Sequence, residues 1–323
     1  MRVLVTGGCG FVGSAVVRLV VEAGGQVLNL DRRRRANPTP ALDPVARREG
    51  YARLEIDVSD RAMLRAVMRE FGPDAVINLA TATDAPPDTL VDTEIGLAYS
   101  VLEASRAYLA ALSDDRRDAF RLVHLQRAEP DLSTTLTEAQ AARSTAAALM
   151  DRWSRATGLP LVACAAGEAF GPWQSQSSFM AALLSHLLYE RPFAVPNGGE
   201  NVRDWIPVRD LATGLLAAAQ YAAPQSWIDL SVGAERRDID VAESVCALLD
   251  ERAPRAAGPW LDLVSCEGDA ASAIPAPMLE SSEAERDFGW RPHGFHTGLD
   301  RLLTWALASR AAVQARAHPI AAE

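Results

Sequence analysis

The chain of 323 residues contains no lysine; all 32 of its basic side chains other than histidine are arginine. Any catalytic step that needs a lysine ammonium is thereby excluded. Net positive charge is also missing: the formal charge is −10. That argues against nucleic acid or an anionic membrane surface as partner, because both require a basic face. No apolar run is long enough to cross a bilayer. The four cysteines, Cys9, Cys164, Cys246 and Cys266, are scattered, and His186, His293 and His296 are dispersed. Neither set has metal-ligand spacing, so no metal site is expected. The opening MRVLVTGG starts a strand directly, which predicts no signal peptide and, with the unpaired cysteines, a reduced cytoplasmic location.

What is present is a regular alternation of apolar strands and amphipathic helices. Strands are expected at 2–6, 26–30, 53–57, 74–80, 120–125 and 161–166. Helices are expected at 10–24, 61–71, about 92–112 and about 136–157, with Ser59 and Asp60 able to cap the second. Residues 32–44 are polar and proline-containing and read as a loop. This order predicts an α/β fold, a Rossmann-type doubly wound parallel sheet. After Gly171-Pro172 the pattern loosens into helices near 177–190, 208–222, 240–252 and 297–316. These predict a dinucleotide-binding domain over 1–165. Residues 166–323 form mainly a smaller C-terminal substrate lobe, part of it returning to the first domain.

Between the first strand and first helix, TGGCGFVG sets Gly7, Gly10 and Gly13, with Phe11 and Val12, where a pyrophosphate would meet a helix N-terminus. Asp31 closes the second strand, where a carboxylate can accept hydrogen bonds from a ribose diol. Asp57 and Val58 end the third strand at an adenine position. Leu79, Ala80 and Thr81 end the fourth, where small residues leave room for a dinucleotide. The bland alternative is an α/β fold whose glycines only make a turn. Asp31 favours NAD; Arg32 to Arg35 could instead attract the 2′-phosphate of NADP, or form a solvated loop.

Four stretches carry a family resemblance: TGGCGFVGSAVVRLV, DRWSRATGLP followed by FGPWQ, GGENVRDWIPVRD, and FGWRPHGFHTGL. On these the chain resembles the extended short-chain dehydrogenase/reductase family, in its nucleotide-sugar epimerase and dehydratase branch. The resemblance implies a tyrosine and a lysine four residues later on the helix before GLP. Counting back from Gly158-Leu159-Pro160 puts those positions at Ala139 and Arg143. None of the five tyrosines has even an arginine four residues on, and the absence of lysine rules out a slipped alignment. Arg143 can still bond a ribose as a fixed cation, but Ala139 can do no acid–base work.

Other positions implied by the resemblance have changed as well. After the fifth strand, His124-Leu125-Gln126-Arg127 stands where the family has Ser/Thr and the dehydratases a Thr-Asp-Glu run. Glu168 replaces an asparagine that contacts substrate phosphates; Arg203 keeps one phosphate cation, and a second falls at Ala276. By family position Glu94, His124, Gln126, Arg127, Arg143 and Glu168 lie near the strand ends where substrate sits. Glu168, Arg127, His124 and Glu94 are the catalytic candidates, with His124 expected to titrate near neutral pH, and Gln126 and Arg203 the substrate contacts. For each the bland reading is structural: a satisfied strand histidine, an exposed helix glutamate. The first functional reading is an NAD-binding enzyme repurposed to atypical, possibly non-redox chemistry on a small molecule in a specialised pathway. The second is a non-catalytic dinucleotide-binding protein or partner subunit. The third is a nucleotide-sugar epimerase or dehydratase using other catalytic residues. The resemblance also implies a homodimer through the helices near 92–112 and 136–157, the second alanine-rich enough for close approach.

Overall fold

In a computed structural model, residues 1–32, 40–82, 85–128, 137–175, 178–233, 235–276, 279 and 282–317 are described. Arg33 to Arg35 lie outside the described residues. Two compact units form from interleaved segments: Met1–Ala166, Arg209–Leu230 and Met278–Arg291, and Gly167–Val208, Ser231–Pro277 and Pro292–Glu323.

The first unit begins β1 (Arg2–Thr6), α1 (Phe11–Glu22), β2 (Gln26–Asp31), β3 (Tyr51–Glu55), α2 (Arg61–Phe71) and β4 (Ala75–Asn78). It continues α3 (Leu90–Ala110), α4 (Asp114–Ala119), β5 (Arg121–Arg127), α5 (Glu138–Thr157) and β6 (Leu161–Ala166). The second unit's β7 (Glu168–Phe170), α6 (Phe179–Leu188), β8 (Phe193–Val195) and β9 (Val202–Pro207) follow. Then α7 (Val208–Tyr221) and β10 (Ser226–Leu230) return to the first unit. The remaining elements are β11 (Glu235–Arg237), α8 (Asp238–Arg252), β12 (Val264–Cys266), α9 (Ser282–Phe288) and α10 (Phe295–Ala317).

Seven parallel strands in the order β10-β6-β5-β4-β1-β2-β3 make the main sheet. Its central strands are buried on both faces, which is why their sequences are continuously apolar. Leu4, Leu28, Val76 and Leu122 pack one way, against Leu64 and Met68 of α2, Leu97 and Leu102 of α3, and Met150 of α5. The alternate strand residues face the other way. Helix ends are set by local chemistry. Asp60 accepts from the Met63 N–H at 3.0 Å, and Gly72 closes α2 in the left-handed region. Thr137 and Gln140 cap α5 reciprocally.

Several expected boundaries move. The third strand occupies 51–55 and not 53–57, so Asp57 and Val58 lie beyond it in the turn that caps α2. The fourth strand ends at Asn78, leaving Leu79 and Ala80 in the following segment, while the fifth runs on to include Gln126 and Arg127. Strand β10 was not expected. It lies at the sheet edge, so SWIDL mixes polar with apolar residues and leaves Trp227 45% exposed, unlike the interior strands.

The second unit has a three-stranded sheet, β11-β9-β7, and a two-stranded one, β12-β8. Its core joins Phe170, Trp205, Phe295, Leu183, Val245 and Leu302. Among the described residues no helix is long and apolar enough to cross a membrane. Phe170 is fully buried, with ring centroids 5.9 Å from Trp205 and 5.3 Å from Phe295. Phe170→Ala should therefore destabilise the protein by about 3–5 kcal/mol, read as a lowered urea midpoint. An unchanged midpoint would contradict this core.

Candidate functional site

The turn after β1 is shaped by close approach. Gly7 sits at φ 71°, and a Cβ there would meet the Leu79 carbonyl oxygen at 2.7 Å. A Cβ on Gly13 would lie 2.3 Å from the Gly7 carbonyl oxygen, so only glycine lets α1 start this near the strand. Helix α1 opens at Gly10 without a side-chain cap. Phe11 and Val12 form its first turn. Asp31, buried at the end of β2, accepts the Cys9 N–H through Oδ2 at 2.7 Å, which orients its carboxylate on this turn. An acidic group beside a glycine cradle and an uncapped helix start fits a dinucleotide.

Beyond β3, the Asp57 carboxylate accepts from the Ser59 N–H at 2.9 Å and from Ser59 Oγ at 2.7 Å. Burial alone would raise its pKa; these bonds and the nearby Arg32 guanidinium bring it below the usual carboxylate range. Arg32 and Asp57 are thus neighbours. Val58 is buried core.

A polar chain crosses β1, β4 and β5 inside the sheet. Thr6 Oγ1 accepts from the Leu79 and Ala80 N–H groups at 3.2 and 3.3 Å and donates to Asn78 Oδ1 at 2.6 Å. Asn78 Nδ2 then donates to His124 Nδ1 at 3.1 Å. An amide nitrogen can only donate, so Nδ1 carries no proton and a neutral His124 holds its proton on Nε2. Burial lowers the His124 pKa to about 4, against the opposing effect of Asn78. The expectation that His124 titrates near neutral pH is corrected: desolvation of the ring disfavours the imidazolium. Gln126 and Arg127 follow on β5, opposite Ala165 and Ala166 of β6.

Glu94 is not an exposed helix residue. It is buried in α3, and Oε2 accepts the Ala82 N–H at 2.6 Å, tying the segment after β4 to that helix. Burial raises its pKa, while the Ala82 bond and the Arg143 guanidinium oppose the rise. Arg143 is thus close enough to act on the Glu94 charge. Ala139 lies in the first turn of α5 and Arg143 one turn on. Thr81 lies between Ala80 and Ala82 in that segment.

In the second unit, Glu168 on β7 and Arg203 on β9 come together, with Oε2 and Nη1 3.7 Å apart. Arg203 is more strongly held by Asp238, a residue not anticipated, through Nε to Oδ1 at 2.8 Å and Nη2 to Oδ2 at 3.1 Å. Its charge is met by two carboxylates. Among the described residues no three His, Cys, Asp or Glu side chains gather as metal ligands.

Sequence reasoning also missed Thr6 and Asn78. A signal existed: Asn78 is a lone amide in the otherwise apolar run AVINLA, where a buried polar group must find a partner.

The family model described as "NAD dependent epimerase/dehydratase family" matches residues 3–233. A probable dTDP-glucose 4,6-dehydratase of Sinorhizobium fredii is 30% identical over 329 residues, 95% of this chain and 93% of the relative. The dTDP-glucose 4,6-dehydratase of Neisseria gonorrhoeae is 29% identical over 333 residues, covering 96% of each. Among solved structures, a dTDP-glucose 4,6-dehydratase of Bacillus anthracis in complex with NAD superposes with TM-score 0.82 at 17% identity, over 96% of this chain and 98% of the other. A UDP-glucose 4-epimerase of Thermotoga maritima superposes with TM-score 0.78 at 18% identity, over 96% and 99%. At those identities the structural likeness speaks for the fold.

The neutral His124 carries a pH signature. Its pKa falls from 6.5 to about 4 on folding, so the unfolded chain binds the proton more tightly between those values. Stability then decreases as pH drops through that window and is unaffected above it. His124→Gln keeps an acceptor for Asn78 and should remove about 1–2 kcal/mol of the stability lost between pH 7 and pH 5. Urea titrations of both proteins at the two pH values measure this; equal losses would refute it.

Proposed function

The chain belongs to the NAD dependent epimerase/dehydratase family, and from that membership we propose that its first unit binds NAD and that it acts on a small molecule without the family's tyrosine–lysine pair. The observation that carries this reading is an intact dinucleotide cradle beside an α5 bearing Ala139 and Arg143 at the pair's positions. The second unit, with Glu168 and Arg203, is where we assign the substrate.

The residues divide the work by their chemistry. Asp31 accepts from the adenosine ribose hydroxyls, as an anion that disfavours a 2′-phosphate and so favours NAD over NADP. The start of α1 faces the pyrophosphate. Asp57, Val58, Leu79, Ala80 and Thr81 flank the adenine side. Arg143 holds the nicotinamide ribose by hydrogen bonds but is too basic to relay protons. NAD supplies a hydride acceptor when bound.

Acid–base work falls to Glu94, whose raised pKa lets it hold or accept a proton at Oε1 or Oε2 nearer neutral pH than an ordinary carboxylate. His124 acts only as a neutral donor through Nε2. This arrangement suits proton transfer, elimination or ring closure better than hydride transfer coupled to a phenolate, and a specialised biosynthetic pathway is the setting we assign to it. We assign a homodimer to the paired helices α3 and α5.

A second reading, a non-catalytic dinucleotide-binding partner subunit, is favoured by one fact: Glu94 is already engaged by Ala82. Relatives named dTDP-glucose 4,6-dehydratase make dTDP-glucose the first substrate to try. Incubation with dTDP-glucose and NAD should give no 4-keto-6-deoxy product by chromatography; clear product would overturn the atypical reading in favour of dehydration by other residues. Asp31→Ala should weaken NAD binding about tenfold or more by calorimetry, since a charge-assisted hydrogen bond is lost. Unchanged affinity would refute the cofactor placement.

A further inference from the structure

Arg236 of β11 stands directly opposite Arg203 of β9 in an antiparallel pair, so the two side chains leave the sheet on one face. Like charges placed this way repel. Arg203 is relieved by carboxylates: Asp238 accepts from its Nε and Nη2 at 2.8 and 3.1 Å, and Glu168 lies 3.7 Å from Nη1. Arg237, on the other face of β11, is relieved by Asp240 at 2.9 and 2.7 Å and by Glu200 at 3.0 Å. Arg236, between them, forms no ion pair among the described residues. Asp240 feels its charge, but both oxygens of that carboxylate are held by Arg237.

The contacts Arg236 does make are weak. Its guanidinium carbon lies 4.5 Å from the centroid of the Phe295 ring, which fixes its plane. Nη2 is 3.4 Å from His296 Nε2. A guanidinium can only donate, so Nε2 accepts and a neutral His296 holds its proton on Nδ1. Nε of Arg236 is buried with no hydrogen-bond partner. The fold alone gives no reason to keep a cation so poorly met and opposite another. His296 is exposed in the first turn of α10, which carries no acidic side chain, and Asp300 one turn on is taken by Arg252. Phe295 is thus a floor with the guanidinium on its face and the imidazole at its edge, the two rings 5.6 Å apart at 80°.

We propose that Arg236 and His296 form an anion site beside Arg203, which takes an oxyanion group, phosphate or carboxylate, of the small-molecule ligand. The oxyanion accepts from the Nη groups of Arg236 and displaces Nη2 from His296. The freed imidazole, still neutral, exchanges its proton with solvent from Nδ1 to Nε2 and donates to the same anion. Arg203 keeps its bonds to Asp238 and acts on the anion only through its charge. This rests on the reading that the second unit holds the substrate. It is tested by binding and not by turnover, so it stands or falls separately from the chemistry assigned to Glu94 and from the cofactor placement that Asp31→Ala tests.

Inorganic pyrophosphate and malonate are titrated separately by calorimetry into the protein saturated with NAD, at low ionic strength where an exposed charge pair is least screened. At least one should bind. Pyrophosphate alone identifies the group as phosphate, malonate alone as carboxylate, and both together a site that takes either. Arg236→Gln should weaken the bound anion about tenfold or more, as for one lost charge-assisted pair. His296→Phe, which keeps an aromatic ring but removes the donor, should weaken it several-fold. Arg237→Gln, on the opposite face, should leave it unchanged. Thermal unfolding and NAD affinity verify that each variant is folded with its first unit intact. Should Arg236→Gln not fold, His296→Phe decides: a loss supports the site and no loss overturns it. Binding of neither anion by the wild type, a folded Arg236→Gln with unchanged affinity, or an equal loss in Arg237→Gln would each overturn it.

Discussion

The approach of the Gly13 Cα to the Gly7 carbonyl is the constraint on which the first unit depends. A parallel strand must turn into a helix within a few residues, and the helix must then lie close enough to cover the sheet. A side chain at Gly13 would collide with the Gly7 carbonyl and the Gly8 Cα and force α1 off the turn. With α1 held down, its uncapped start and the carboxylate of Asp31 end up on the same turn, joined by the Cys9 N–H. The shape of that turn is therefore a consequence of packing: the Gly7, Cys9 and Gly10 N–H groups are bound within it, to Leu30, Asp31 and Gly7, and hold the helix start against the strand.

Inside the sheet, Thr6, Asn78 and His124 solve a related problem. Strands β1 and β4 are buried on both faces, so the polar side chains of Thr6 and Asn78 must be satisfied laterally, across the strands. The chain of bonds from the Leu79 and Ala80 N–H groups through Thr6 and Asn78 to Nδ1 satisfies them in sequence. It also fixes the segment after β4 and determines the histidine's tautomer. A side chain that looks in isolation like a physiological acid–base group becomes a permanent neutral donor.

Much of this was legible in the sequence because it rests on short-range pattern. Continuous apolar runs marked the interior strands, and the glycine spacing and Asp31 marked the cradle. Thr137 and Gly158 bracket α5 by capping chemistry alone. What could not be read depended on partners far along the chain. Strand β10 lacks an interior strand's pattern because it lies at an edge. Glu94 looked like a surface residue because its partner, the Ala82 N–H, is a backbone group invisible to side-chain pattern. Arg203 looked like a free cation because Asp238 lies 35 residues away.

These distant partners bear on what the altered positions can do. Ala139 and Arg143 by themselves indicate only a lost proton relay and a retained cation. Glu94 changes that balance: a buried carboxylate near a guanidinium is an acid–base group whose charge the cation stabilises without sharing its proton. A tyrosine–lysine pair works the opposite way, lowering a phenol's pKa so that it can take a proton as hydride leaves. With Glu94 as the acceptor we propose, the acceptor lies on α3 and not on α5, so a substrate would have to present its proton from that side.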